Sequence, residues 1–253
     1  MVDKRLVDFP AYTGLEKRKV YIYTPTTYNK CKDSYPVLYM FDGQNVFYDD
    51  EATYGRGWRM HEFLDYNDIP LIVVSVECHR GINEERMQEY SPYKCSFEGE
   101  KYFPHADETM KWFIKALKPQ VDANYRTKPD RKHTFIGGSS MGGILSTYCL
   151  LRFNKVFSRA ISMSPAYYMF YKPTLAAIKE AKVTKDTTIY TDYGTRDLEG
   201  KPAIEIFNKV NTKLIEKGIN VTSRIIYEGV HNEENWDKQL MFAISTLMYE
   251  LER

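Results

Sequence analysis

Short, mostly apolar segments bounded by turn residues recur along the chain, and this pattern predicts strands that are buried on both faces. One segment differs, because residues 18–24 alternate polar and apolar side chains with the period of two that is typical of a half-buried strand. The predicted strands span residues 18–24, 36–41, 70–76, 133–136, 158–163, 187–193 and 222–227.

Segments with helical periodicity lie between these strands. Apolar residues at the spacing of one helical face run from Met110 to Val121, and two acidic residues precede them, where the helix dipole favours negative charge. A second helix is predicted from Pro202 to Gly218, since proline starts helices and glycine ends them. A third is predicted over about residues 235–251, and its partly buried positions are Leu240, Phe242, Ala243, Leu247 and Leu251.

This alternation of strands and helices predicts an α/β fold, with a mostly parallel central sheet and helices on both faces. The chain has 253 residues, 43% of them hydrophobic, and no linker segment divides it. We therefore interpret residues 1–253 as a single domain. Ligands of such sheets bind beyond the carboxyl ends of the strands, so functional residues are expected there.

Charge and composition exclude several kinds of partner. The 35 basic and 34 acidic residues nearly cancel, which removes the electrostatic basis for binding nucleic acid or an anionic membrane surface. The longest apolar run, residues 69–76, is too short to cross a bilayer, and the N-terminus lacks the apolar core of a signal peptide. The four cysteines form no CxxC pair and no zinc cluster. We therefore expect reduced thiols and a cytoplasmic location.

The segment Gly138-Ser139-Ser140-Met141-Gly142 matches the G-x-S-x-G pattern of a nucleophile elbow. A short apolar strand precedes it and a helix-compatible segment follows it, which is the setting that an elbow needs. The alternative is a glycine-rich loop, with or without a bound phosphate, but the lysine and the spacing of a P-loop are missing. The pattern therefore predicts Ser140 as a nucleophile.

A serine nucleophile needs a base and an acid, which in this arrangement follow it in the order acid, then histidine. His231 is the only histidine after the elbow, and it comes soon after the last predicted strand. Asp197 lies beyond the end of the preceding strand and is the predicted acid, with Asp192, inside that strand, as the alternative. Glu199 and Glu233 are interpreted as solvated loop charges.

Acyl transfer also needs two backbone N–H groups that stabilise the developing oxyanion. The predicted donors are Met141, directly after the nucleophile, and Gln44, in the loop after the strand at residues 36–41. A plain Asp-Gly turn is the alternative for the second donor. No histidine, cysteine or carboxylate set has the spacing of metal ligands, so neither a metal nor a cofactor is expected.

Together these motifs resemble the putative-esterase family of α/β-hydrolases, over about residues 18–251. The resemblance rests on motifs in chain order: Asp42-Gly43-Gln44-Asn45, residues 86–92, the elbow, Ser162-Met163-Ser164-Pro165, residues 194–197 and Gly229-Val230-His231-Asn232. It implies a single-domain α/β-hydrolase fold, with Ser140 as nucleophile, Asp197 as acid and His231 as base. It also implies Gln44 and Met141 as oxyanion donors. Relatives often have Glu at the position of Asp197.

Aromatic residues suggest where the substrate binds. Four of them lie between Pro165 and Tyr171, directly after a strand end, and Tyr167 and Tyr168 are the predicted substrate contacts there. Aromatic packing beneath a loop explains the same residues equally well. Trp58, in a loop after the Asp42-Gly43 segment, is a third predicted contact. The long connection over residues 78–107 is expected to be a functional loop that covers the cleft, in which Arg86 is either solvated or paired with a carboxylate.

These residues predict a serine carboxylesterase that hydrolyses small acyl or aryl esters through an acyl-enzyme. Acylated sugars, feruloyl-type esters and siderophore-type esters are candidate substrates. A thioesterase or acyltransferase using the same triad is the alternative. A non-catalytic binding protein is disfavoured because no triad member is missing. The expected partner is a small-molecule ester, and the sequence leaves a homo-oligomer open.

Overall fold

The computed structural model describes residues 1–79, 85–97 and 99–251. Its strands are β1 Val2–Ala11, β2 Gly14–Tyr23, β3 Val37–Met40, β4 Ile72–Val76, β5 Cys95–Phe97, β6 Glu100–Tyr102, β7 Thr134–Ser139, β8 Arg159–Met163, β9 Thr188–Gly194 and β10 Asn220–Ile226. Its α-helices are α1 Met60–Tyr66, α2 Glu85–Tyr90, α3 Ala106–Trp112, α4 Lys118–Asn124, α5 Met141–Arg152, α6 Tyr167–Glu180, α7 Gly200–Glu216, α8 Glu233–Asp237 and α9 Leu240–Met248. A π-helical turn, Phe113–Leu117, joins α3 to α4.

Eight of these strands form one sheet in the order β1-β2-β4-β3-β7-β8-β9-β10. The β1/β2 and β2/β4 pairs are antiparallel, and all pairs from β4 to β10 are parallel. Parallel neighbours end at the same edge of the sheet, so the loops that follow β3, β7, β8, β9 and β10 meet there.

Helices cover both faces of the sheet, because the central strands are apolar at nearly every position. In β3, Val37 and Tyr39 pack in one core with α3, α5, α6 and α7, whereas Leu38 and Met40 pack in a second core with α1 and α9. Successive side chains of a strand point to opposite faces, so a continuous apolar strand can fill both cores. Burial of each large apolar side chain stabilises the fold by roughly 1.5–3 kcal/mol.

The predicted α/β architecture is confirmed, and each of the seven predicted strands overlaps an observed one. The helix predicted from Pro202 is α7, and the helix predicted from Met110 continues through the π-helical turn into α4. Within the described ranges, no helix is both long and apolar enough to cross a membrane.

Some predicted elements differ from the structure. The prediction of one helix over about residues 235–251 is wrong, because this part of the chain forms two separate helices, α8 and α9. Strand β1 is absent from the predicted set, since four charged and exposed residues, Asp3, Lys4, Arg5 and Asp8, interrupt its apolar pattern. The connection over residues 78–107 contains α2, β5 and β6, and residues 80–84 and 98 of it lie outside the described residues.

Candidate active site

Ser140 lies on a sharp turn between β7 and α5, with backbone angles φ 56° and ψ −118°. Such a conformation is strained for a residue with a side chain, and it holds the residue at the point where the strand becomes a helix. A Cβ on Gly138 would lie 2.9 Å from the Gly142 carbonyl carbon, so the two backbones pass too close for any side chain there. The G-x-S-x-G spacing therefore has the steric basis that the sequence predicts.

His231 and Asp197 are paired at the ends of β10 and β9. The His231 Nδ1 lies 2.5 Å from the Asp197 Oδ1, and the same oxygen accepts a 2.6 Å hydrogen bond from the Leu198 backbone N–H. Asp197 is 6% exposed, so the carboxylate is held by protein donors rather than by water. The pairing fixes the imidazole so that its Nε2 is the nitrogen left for proton transfer.

Asp192, the alternative acid, has different partners. It lies inside β9, fully buried, where it accepts hydrogen bonds from the Tyr190 hydroxyl at 2.9 Å and from the Ser164 backbone N–H at 3.3 Å. Burial raises the pKa of its carboxyl to about 7. Of the two aspartates, the structure brings Asp197 to the histidine.

The loop after β3 forms a short 3-10 turn, Gly43–Asn45, that begins at Asp42 in a left-handed conformation with φ 55°. Arg86, from α2, donates two hydrogen bonds to the Asp42 carboxylate, at 2.6 and 2.7 Å. Of the two interpretations of Arg86, solvated or paired with a carboxylate, the structure shows the second. The Asp42 backbone N–H also donates to the Tyr90 hydroxyl at 3.1 Å. These bonds hold the loop that carries Gln44 against α2.

Two backbone amides are free where an oxyanion site would be needed. Across the described ranges, the N–H groups of Gln44 and Met141 have no hydrogen-bond acceptor. The Gln44 side chain is held separately, since its Nε2 donates to the Thr53 hydroxyl and to the Cys78 sulfur, and its Oε1 accepts from the Cys78 N–H. Burial raises the pKa of the Cys78 thiol well above its usual value, so this cysteine stays protonated and is a poor competing nucleophile.

A cleft of about 580 Å³ opens over these groups. Ser140 and His231 both line it, although no hydrogen bond joins these two described side chains. In resting serine hydrolases this contact is often long and shortens only when substrate binds. Most of the other lining residues are polar or charged: Asp42, Gln44, Asn45, Asp50, Glu51, Thr53, His79, Arg86 and Glu233. A larger depression, about 880 Å³, lies at the opposite end of the sheet, far from the paired histidine and carboxylate.

The aromatic residues predicted to contact substrate lie elsewhere. Trp58 is 2% exposed and packs against Trp236 with ring centroids 6.0 Å apart. Tyr167 is 1% exposed, and its hydroxyl is hydrogen-bonded to Thr147 at 2.8 Å inside the core. Tyr168 is half-buried beside the same core and does not line the cleft. Correcting the prediction, residues 165–171 are largely the start of α6, whose apolar face packs against α5 and α7.

Glu233 lines the cleft and is buried, so its interpretation as a solvated loop charge is wrong. It is 4% exposed, and its Oε1 accepts a 2.9 Å hydrogen bond from the Asn45 Nδ2. Burial raises the pKa of its carboxyl above the usual range. The sequence feature that could have indicated a place in the cleft is its position two residues after His231. By contrast, Glu199 is exposed as predicted.

One cluster has side chains close enough to share a metal ion. Ligand atoms of Glu16, His79 and Glu85 all lie within 4.8 Å of one another. Arg18 already pairs with the Glu16 carboxylate at 2.9 Å, and the His79 Nε2 lies 2.8 Å from the Glu85 carboxylate. The Glu16 and Glu85 carboxylates therefore each already have a nitrogen of a neighbouring side chain as a partner. That the reaction needs neither metal nor cofactor stays a prediction.

The mostly parallel sheet, the serine elbow and the paired histidine and carboxylate at one sheet edge define an α/β-hydrolase of the serine-hydrolase type. The model of the family described as "Putative esterase" matches residues 14–247, so the chain belongs to this family. The protein is accordingly a carboxylic ester hydrolase.

Several known proteins are similar to the chain in sequence or in fold. The uncharacterized protein YbbA of Bacillus subtilis (strain 168) is 21% identical over 246 residues, covering 91% of this chain and 92% of YbbA. An IroE-like serine hydrolase from Shewanella oneidensis has a similar structure, with a TM-score of 0.75 and 17% identity over 96% of this chain and 79% of that one. A ferulic acid esterase superposes with a TM-score of 0.70 and 16% identity over 98% and 97% of the two chains.

Proposed function

We propose that the protein is a serine carboxylesterase that hydrolyses small, polar esters through an acyl-enzyme. The observation that carries the proposal is the His231–Asp197 pair, which opens onto the same cleft as Ser140 on its strained turn. A serine hydroxyl becomes an effective nucleophile when an oriented histidine accepts its proton.

In this mechanism the Ser140 Oγ bonds to the ester carbonyl carbon while its proton passes to the His231 Nε2. The oxyanion that forms accepts hydrogen bonds from the free backbone N–H groups of Gln44 and Met141. When the intermediate collapses, the alcohol leaves with the proton from His231. Water then attacks the acyl group by the same path in reverse and restores the serine.

The cleft favours a hydrophilic substrate. Its lining is mostly polar, and Glu233 can accept a hydrogen bond from a substrate hydroxyl through the oxygen that Asn45 does not bind. Tyr54, exposed by 81%, supplies apolar contact for a small acyl or aryl group. A long fatty acyl chain would leave the buried polar groups unpaired, which costs binding free energy.

The test is a panel of p-nitrophenyl esters of rising acyl length beside feruloyl, acetyl-sugar and thioester substrates. Turnover should be highest for short or polar acyl groups and fall as the chain lengthens, whereas preferred thioester cleavage would favour a thioesterase. Ser140→Ala should lower kcat by on the order of 10⁶, as loss of the nucleophile does in a serine protease. Ser139→Ala, at the neighbouring position, should keep much of the activity. A fluorophosphonate adduct on any residue other than Ser140 contradicts the proposal.

A further inference from the structure

The carboxylate of Asp197 has a third partner besides His231 and Leu198. The Ser164 hydroxyl, in the loop after β8, donates to the Asp197 Oδ2 at 2.6 Å. The two oxygens of the acid are therefore divided: one faces the histidine and the other is bound by the serine.

Trp236, in α8, completes a closed arrangement around this pair. Its Nε1–H donates to the Ser164 Oγ at 2.9 Å, and its ring lies edge-on to the His231 imidazole with centroids 5.0 Å apart at 82°. The four side chains thus run in a ring, from Trp236 to Ser164, to Asp197, to His231 and back to the indole. Trp58 supports the indole from another side, at 6.0 Å.

The chemistry of the indole fixes the direction of these bonds. An indole N–H can only donate, so the Ser164 oxygen must offer it a lone pair and turn its own single proton to Asp197. A hydrogen bond that ends on a carboxylate is stronger than one between neutral groups. Ser164 is 1% exposed and Trp236 is 4% exposed, so no bulk water can replace either bond.

We propose that Ser164 and Trp236 are positioning residues that hold the acid and the base in register. Ser164 anchors the Asp197 Oδ2 so that the Oδ1 faces the His231 Nδ1, and Trp236 both orients the Ser164 hydroxyl and confines the imidazole. This inference rests on the proposed esterase function. The two residues act through Asp197 and His231 and have no contact with the reacting ester in the mechanism.

The test compares Ser164→Ala with Ser158→Ala, measured as kcat and KM on p-nitrophenyl acetate. Ser158 is a matched control because it is also a fully buried serine, placed just before the opposite end of β8, where it donates to the Lys132 carbonyl. Loss of one bond to a buried carboxylate should lower kcat by about 10- to 100-fold with KM changed by less than about twofold. Ser158→Ala should change neither constant by more than about twofold.

A double-mutant cycle separates positioning from a general loss of stability. In an Asp197→Ala background, Ser164→Ala should cost less than about twofold in kcat, because its target is gone. Trp236→Phe keeps a ring against His231 but removes the donor, so it should lower kcat by about 3- to 10-fold. This variant also provides the test if Ser164→Ala does not fold.

Two results would overturn the inference. One is a Ser164→Ala or Trp236→Phe enzyme that folds and keeps the wild-type kcat while Ser140→Ala is inactive. That result would refute the positioning role but not the proposed esterase function. The other is a loss from Ser164→Ala that is as large without Asp197 as with it. Wild-type activity in Ser140→Ala is a different outcome, since it would refute the proposed function itself.

Discussion

The loops that carry the proposed acid and base approach each other most closely at Gly194 and Gly229, and Gly194→Ala should separate these loops. Gly194 ends β9, and a Cβ placed on it would lie 2.2 Å from the Gly229 carbonyl oxygen and 2.4 Å from its carbon. Ordinary contact with a Cβ begins near 3.4 Å, so the backbones would have to part by 3.4 minus 2.2, or 1.2 Å. Asp197 lies three residues after Gly194, and His231 lies two residues after Gly229.

The expected loss follows from the length of the bond that the shift disturbs. The 2.5 Å contact between Asp197 and His231 cannot lengthen by a similar amount and remain a hydrogen bond of normal geometry. A misplacement of about 1 Å in a catalytic group can cost roughly 100-fold in rate, so kcat should fall by up to about that factor. Overpacking should also lower the free energy of unfolding by about 1–3 kcal/mol.

Gly218→Ala is the matched control, because nothing lies within 4 Å of a Cβ there and the residue has φ 89°. The left-handed backbone makes this alanine cost about 1–2 kcal/mol of stability, comparable to Gly194→Ala, at a site outside the acid and base loops. The assay is kcat and KM on p-nitrophenyl acetate, with urea unfolding of each variant. If Gly194→Ala keeps a kcat within about threefold of Gly218→Ala, the reasoning from the loop contact is wrong.

Three further predictions concern the charged groups. His231→Ala should lower kcat nearly as much as Ser140→Ala, while Asp197→Ala should cost less; full activity in Asp197→Ala with loss in Asp192→Asn would move the acid role to Asp192. Burial raises the pKa of Asp192 from 3.8 to about 7, so the folded protein binds its proton more tightly than the unfolded chain. The free energy of unfolding should then fall between about pH 4 and 7, by at most roughly 4 kcal/mol, and Asp192→Asn should remove that slope in urea titrations. Exhaustive EDTA treatment should leave ester hydrolysis unchanged, and a loss restored by zinc or calcium would contradict the prediction of metal-free catalysis.

The parts of the site that the sequence predicted are those fixed by local backbone requirements. The glycine spacing around Ser140 follows from a close approach of strand and helix within five residues, so the pentapeptide alone contains it. Asp197 could be separated from Asp192 because one lies past the end of a strand and the other within it. Both predictions used only the order of residues along the chain and the positions at which the predicted strands end.

The parts that the sequence did not predict depend on which way a side chain turns after packing. Tyr167 and Trp58 belong to aromatic segments near the site, yet the side chains of both are buried in the core. The number of aromatic residues in a segment does not tell which way their side chains point. Glu233 looked like any acidic residue in a polar loop. The structure buries it, and its hydrogen-bond partner Asn45 lies 188 residues away in the chain. Contacts of that separation leave no local pattern.

Hydrogen bonds between separate loops also hold the site together. The Asn45–Glu233 hydrogen bond ties the loop after β3 to the helix that follows His231. The Arg196 backbone N–H donates to the Gly229 carbonyl at 2.9 Å and ties the acid loop to the base loop. Donors and acceptors fixed in this way before substrate arrives need no reorganisation when charge develops in the transition state.

Further hydrogen bonds explain why the site can hold strained backbone. Asp42, Ser140 and Ser164 all have positive φ, at 55°, 56° and 42°. Each such residue costs of order 1–3 kcal/mol and persists only where its surroundings over-determine the conformation. Asp42 is fixed by Arg86, and Ser164 by the Asp197 carboxylate and the Asp192 backbone. The strain therefore lies at the loop ends that present the proposed nucleophile, oxyanion donors and acid, and removing one of these bonds should release that strain by moving one of these groups.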